Sequence, residues 1–141
     1  MKISITIGLI ILSLTAVSQE NDKQQVEKAV LNYVDAFYLG DTTLAYKSVA
    51  TDLAKRGYYN RQGAYIDLRM SFPQLTRLAS NWKNNQQISS SSPRKVTVFD
   101  VLDKTASAKV EAIWGIDYLH LAKLDGEWKV VNVLWQSYPS N

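Results

Sequence analysis

Residues 114–135 read WGIDYLHLAKLDGEWKVVNVLW, and the fold is decided here. Asp125-Gly126 separates LHLAKL from EWKVVNVLW, two runs in which apolar residues recur with a period near two. Asp-Gly supplies the positive φ values of a two-residue hairpin turn. The spacing therefore predicts two antiparallel strands in which Leu124 faces Glu127 and His120 faces Val131. The stretch also holds three of the four tryptophans and the only histidine, His120.

Upstream, KVTVFDVLD and ASAKVEAIW keep the period of two. From Arg94 onward the chain reads as four strands, turning at Asp103-Lys104, Gly115-Ile116-Asp117 and Asp125-Gly126. If Trp114 faces Tyr118, one face carries Ala108, Val110, Ala112, Trp114, Tyr118, His120, Ala122, Val131, Val133 and Trp135. The other carries Lys109, Glu111, Ile113, Leu119, Leu121, Lys123, Trp128, Val130, Asn132 and Leu134. The first is the more apolar and is expected under the helices. A turn one residue shorter or longer reverses the relative facing of the strands it joins. The second face remains too apolar to be simply solvated, and a twin subunit is its economical cover.

Three helices precede the sheet. Asp22 with Gln25 resembles a capping box, and Val26, Val30, Tyr33 and Phe37 recur on one face with Ala29 and Ala36 beside them. Gly40 ends this helix, and Asp41 caps a second from Thr42 to about Val49 with Leu44, Ala45 and Ser48 inward. Leu53 to Tyr59 reads as a short strand, Asn60 to Gly63 as a turn, and Ala64 to Met70 as strand or as the approach to a helix. Ser71 and Gln74 cap a third helix whose apolar face is Leu75, Leu78, Ala79 and Trp82, ending near Lys83. Asn84 to Pro93 is a polar loop. Helices followed by an antiparallel meander make the class α+β, with the helices on one face of the sheet.

The first 18 residues read as an address. Lys2 is followed by an apolar run, Ile3 to Val17, with small residues at Ala16 and Ser18 before Gln19. That is the pattern of a secretory signal peptide, and the run is short for a membrane span, which needs about 20 residues. The expected organisation is a signal peptide over 1–18 and one domain over 19–141. The product is expected to be exported, periplasmic or secreted, with no membrane attachment after cleavage; an uncleaved anchor is the alternative reading.

A chain of 141 residues suffices for one domain and buries roughly 65–70% of its unfolded surface. It has no cysteine, which excludes disulfides, thiolate catalysis and thiolate metal sites. One histidine excludes a His-rich metal site; a carboxylate-only magnesium or calcium site stays open, but no acidic run resembles a calcium loop, and no metal or cofactor is expected. The net charge of +3 is too mild and too scattered to argue for nucleic acid. The basic group Lys55, Arg56 and Arg61, near Tyr58 and Tyr59, reads as a solvated edge strand.

Helix, Gly-Asp corner, helix, DLAKRGYY (Asp52 to Tyr59), a capped third helix and then DYLHLAKLDGEWKVVNVLW together resemble the lumazine-binding branch of the nuclear-transport-factor-like superfamily. The resemblance covers most of residues 19–141, and its most specific pieces are DLAKRGYY and Asp117 to Trp135. It implies a cone-shaped roll, a curved antiparallel sheet wrapped around helices with a cavity at the wide end. It also implies relatives that include isomerases, dehydratases and plain ligand-binding domains, commonly dimers. A fold shared so widely does not choose among these functions.

Enzymes of this kind place an Asp or His with Tyr or Trp helpers inside the cone. The matching candidates for a ligand site are Tyr38, Trp82, Trp114, Tyr118, His120 and Trp135, and for acid–base catalysis His120 with Asp35 or Asp117. Each has a plainer reading. His120 between Leu119 and Leu121 suits a core histidine, Asp117 after a glycine suits a turn, Asp35 suits a helix edge, and the tryptophans suit a core. Three functions stay open: a dimeric binder of a small apolar or aromatic molecule, an isomerase or dehydratase, and a protein-interaction module.

Overall fold

A computed structural model of the chain describes residues 4–85 and 87–139, with side chains described over 19–84 and 87–139. Three helices, α1 (Ser4–Leu39), α2 (Thr42–Ser48) and α3 (Phe72–Asn85), pack on a curved, unclosed sheet of six strands. The strands are β1 (Val49–Arg61), β2 (Ala64–Met70), β3 (Arg94–Val101), β4 (Thr105–Ala112), β5 (Gly115–Leu124) and β6 (Glu127–Ser137), in the spatial order β2-β1-β6-β5-β4-β3. Every neighbouring pair is antiparallel except β1 and β6, which run parallel. The parallel joint has no local signal, because the two strands are separated by the whole of α3 and the meander.

The helix predicted from Asp22 is the second half of α1, which runs back without a break to Ser4. The side chains of residues 1–18, the segment read from sequence as a signal peptide, lie outside the described residues. From Val26 onward α1 lays Val26, Val30, Tyr33, Val34 and Phe37 against the sheet, all buried. Full burial of each aliphatic side chain stabilises by roughly 1.5–3 kcal/mol. Asp41 caps α2 by accepting from Thr43 N–H at 2.9 Å, and Gln74 Oε1 accepts from Ser71 N–H at 2.8 Å ahead of α3. Asp125-Gly126 takes positive φ at both residues, the hairpin geometry its sequence dictates. Gln62-Gly63 does the same, but there β1 runs on through Asn60 and Arg61, so the turn is two residues rather than Asn60 to Gly63.

The sheet register departs from expectation at two places. The β4–β5 turn is Ile113-Trp114, with Ala112 opposite Gly115, so the turn at Gly115-Ile116-Asp117 is not formed. The offset is odd, and it reverses β5 relative to β4. Ala108, Val110 and Ala112 face the helices as expected, but on β5 it is Asp117, Leu119 and Leu121 that point in. Tyr118 and His120 point out, with Tyr118 52% exposed. On β6 a bulge leaves Val131 without an opposite residue, so His120 faces Asn132 and Leu121 faces Val130. The bulge puts Trp128 and Val130 on the inner face together with Val133. Leu124 faces Glu127, as the Asp-Gly turn requires.

The basic stretch at Lys55 also departs from expectation. β1 is the second strand in, covered by β2, and Lys55 is buried on its inner face.

Candidate functional site

Two glycines shape the wide end of the fold. At Gly57 a Cβ would stand 2.2 Å from the Trp135 indole, so the absence of a side chain on β1 lets Trp135 lie across the strand. At Gly115, φ is +145° and a Cβ would stand 2.0 Å from the Gln136 carbonyl oxygen, so only glycine opens β5 this close to β6.

Between α1, α3 and the strand ends lies a cavity of about 660 Å³. Phe37, Leu78 and Trp82 line it from the helices; Lys55, Tyr59 and Asn60 from β1; Leu68 and Met70 from β2. Ile113 and Trp114 of the β4–β5 turn and Trp135, Ser137 and Tyr138 complete the wall. The rings brace one another. Phe37 and Trp82 meet edge-on at 5.9 Å, Phe37 and Trp114 at 5.1 Å, and Trp82 and Trp114 at 5.8 Å at right angles. Such pairs hold large side chains in fixed orientations, which preforms a pocket.

Under this wall sits a buried polar cluster. Tyr33 of α1 donates its hydroxyl to Oδ2 of Asp117 at 2.5 Å, and Trp114 donates its indole N–H to Oδ1 at 2.8 Å. Lys55 Nζ donates to the Tyr33 oxygen and to Asp117 Oδ2, the latter at 3.3 Å. The ammonium also stands 5.1 Å from the centre of the Tyr33 ring and 5.6 Å from that of Trp135. Burial pushes the Lys55 ammonium below the usual lysine range, opposed by the pull of Asp117. Burial likewise pushes the Tyr33 phenol well above its ordinary value, and the neighbouring Asp117 charge adds to the rise. Of this cluster Lys55 and Trp114 reach the cavity wall; Asp117 lies behind them, fully buried.

The residues singled out from sequence divide three ways. Trp82, Trp114 and Trp135 come together around the cavity, and Asp117 anchors its floor. Tyr38 is buried beside it, donating to the Pro93 carbonyl and accepting from Ile113 N–H, and it lines a second hollow with Lys83, Ile88 and Arg94. Tyr118 and His120 lie on the opposite face of the sheet, and Asp35 pairs with Arg94 at 2.8 Å. A dyad of His120 with Asp35 or Asp117 is therefore not assembled. In sequence Tyr33 and Phe37 carry only the core signal of the inward stripe of α1, and Lys55 reads as part of a solvated basic strand.

A six-stranded sheet wrapped over three helices, with an aromatic-walled cavity at one end, defines the nuclear-transport-factor-like, or NTF2-like, class. Residues 21–136 match the family model described as "Putative lumazine-binding", and the chain belongs to that family. An NTF2-like protein from Shewanella baltica superposes with a TM-score of 0.63 at 17% identity, covering 85% of this chain and 96% of that one. One from Methylobacillus flagellatus gives 0.63 at 20% identity, covering 84% and 93%. An NTF2-like protein with a cystatin-like fold from Novosphingobium aromaticivorans gives 0.59 at 11% identity, covering 94% and 90%. These likenesses concern the fold. No curated protein matches the chain.

Proposed function

We propose that the protein binds a small aromatic molecule in the cavity at the wide end of its cone. The observation that carries this reading is the 660 Å³ space walled by Phe37, Trp82, Trp114 and Trp135 with a lysine at its edge. A space of that size, mostly apolar with a few placed polar groups, suits a ligand of drug-like dimensions. The family name points the same way. Native mass spectrometry of protein purified without denaturation tests the reading. A reproducible added mass of small-molecule size, lost in Trp114→Ala, supports it. Bare protein that also takes up no naphthalene-sized probe at millimolar concentration contradicts it.

The outer sheet face favours a second element, a homodimer. Tyr58, Tyr118 and Leu134 are 43%, 52% and 44% exposed and lie on neighbouring strands of that face. A second copy covers such a patch by an isologous contact. Sedimentation equilibrium on wild type and Leu134→Asp tests it, the expected result being a dimer that the charge converts to monomer. A wild-type monomer overturns it.

The reading also includes export. Lys2, the apolar run to Val17 and the small residues Ala16 and Ser18 support cleavage before Gln19. Such a cut leaves Glu20 and Asp22 in the first turn of the shortened helix, where acidic side chains complement the helix dipole. Mass spectrometry of the mature N-terminus reads this directly, and an intact Met1 in exported material overturns it.

A further inference from the structure

We infer that the cavity is built for an aromatic acid, with the ring among the tryptophans and a deprotonated acceptor against the Lys55 ammonium. The inference rests on the cavity-binding reading and names its ligand class.

Among the described residues that line the cavity, Lys55 alone carries a charge. Its side chain is only 5% exposed, so the ammonium is almost stripped of water. An ammonium has three hydrogens to donate. One goes to the Tyr33 oxygen and one to Asp117 Oδ2, which leaves one for an acceptor in the cavity. The two bonds already made fix the position of Nζ, so an incoming acceptor meets a donor already held in place.

Asp117 does not compete for the ligand. Its Oδ1 is taken by Trp114 and its Oδ2 by Tyr33 and Lys55, and it contributes nothing to the cavity wall. A cationic ligand meets Lys55 first and is repelled. An anionic one gains a charge-assisted hydrogen bond, about twice as strong as a neutral one. The ring of Trp135, laid across Gly57 and 5.6 Å from Nζ, offers a flat surface beside that bond. A planar body carrying a carboxylate spans both.

Isothermal titration calorimetry with three probes of one shape tests the inference: 2-naphthoate, 2-naphthamide and 2-naphthylmethylammonium. The expected result is naphthoate binding at least tenfold more tightly than the amide, with the ammonium weakest. In the double variant Lys55→Gln/Asp117→Asn, which removes both buried charges together, the acid and the amide are expected to bind within twofold. A thermal melt checks that this variant folds; if it does not, the ranking of the three probes on wild type decides. Equal binding of acid and amide to wild type overturns the acid preference and leaves the cavity reading standing. A preference that persists in the folded double variant overturns the role of Lys55. Binding of no probe overturns both readings.

Discussion

The hydroxyl of Tyr33, midway along α1, donates to Oδ2 of Asp117 on β5 at 2.5 Å, and Lys55 of β1 donates to both groups. Three elements far apart in sequence are thereby locked beneath the cavity. Asp117→Ala leaves the Lys55 charge buried without its counterion and is expected to cost about 3–5 kcal/mol of stability. Tyr33→Phe removes one donor from Asp117 and one acceptor from Lys55 and is expected to cost about 1–3 kcal/mol. Urea denaturation of the two variants checks the order; equal stability of Asp117→Ala and wild type contradicts it.

Asp22 ties α1 to the far end of the sheet. Its Oδ1 accepts from Lys123 at 2.6 Å and from Trp128 Nε1 at 3.1 Å, and these bonds hold the carboxyl below the ordinary aspartate range. A lowered folded pKa contributes stability that is fully present above the unfolded value, near 4, and is lost as pH falls through the folded value. Asp22→Asn is therefore expected to be less stable than wild type at pH 7 and to converge with it at pH 2. Thermal melts across that range read the difference; a gap that does not narrow toward pH 2 contradicts it.

Gly57→Ala puts a methyl group where the Trp135 indole lies, at 2.2 Å. The indole must shift, because the backbone beneath it is pinned between β2 and β6. A stability loss of about 1–3 kcal/mol is expected, typical of an overfilled site. Binding of a cavity probe is expected to fall with it, as Trp135 is displaced. Crystal structures of the variant with and without probe would show whether the ring has moved.

His120 stands exposed on the outer face of β5. His120→Ala is expected to leave probe affinity within twofold and stability within about 0.5 kcal/mol of wild type. A tenfold loss of probe affinity would place the histidine in the binding machinery, against the geometry.

The parts of the fold legible in sequence are those with local causes. Asp125-Gly126 sets its own hairpin, Ser71 with Gln74 starts α3, and the spacing of Val26, Val30, Tyr33 and Phe37 marks the buried stripe of α1. The facing of β5 was not legible, because it depends on whether two or three residues turn after β4 and on a bulge at Val131. Neither leaves a local mark. The tryptophans at the cavity were legible by type, as rings with a polar handle. Lys55 was hidden among charged neighbours in DLAKRGYY. Its signal was the alternation itself, since Leu53, Lys55 and Gly57 point inward while Asp52, Ala54 and Arg56 point out. A lysine in register with a core leucine and a glycine is a candidate for an inward charge.

The most direct test of cavity binding uses the four tryptophans as reporters. Trp82, Trp114 and Trp135 line the cavity, whereas Trp128 is buried at the other end with its N–H on Asp22. A proton–nitrogen NMR spectrum resolves one indole signal from each. On titration with 2-naphthamide, the signals of Trp82, Trp114 and Trp135 are expected to shift together along one saturable curve while that of Trp128 stays in place. No shift at millimolar probe, or a shift of Trp128 as large as the others, would contradict a ligand site at the wide end of the cone.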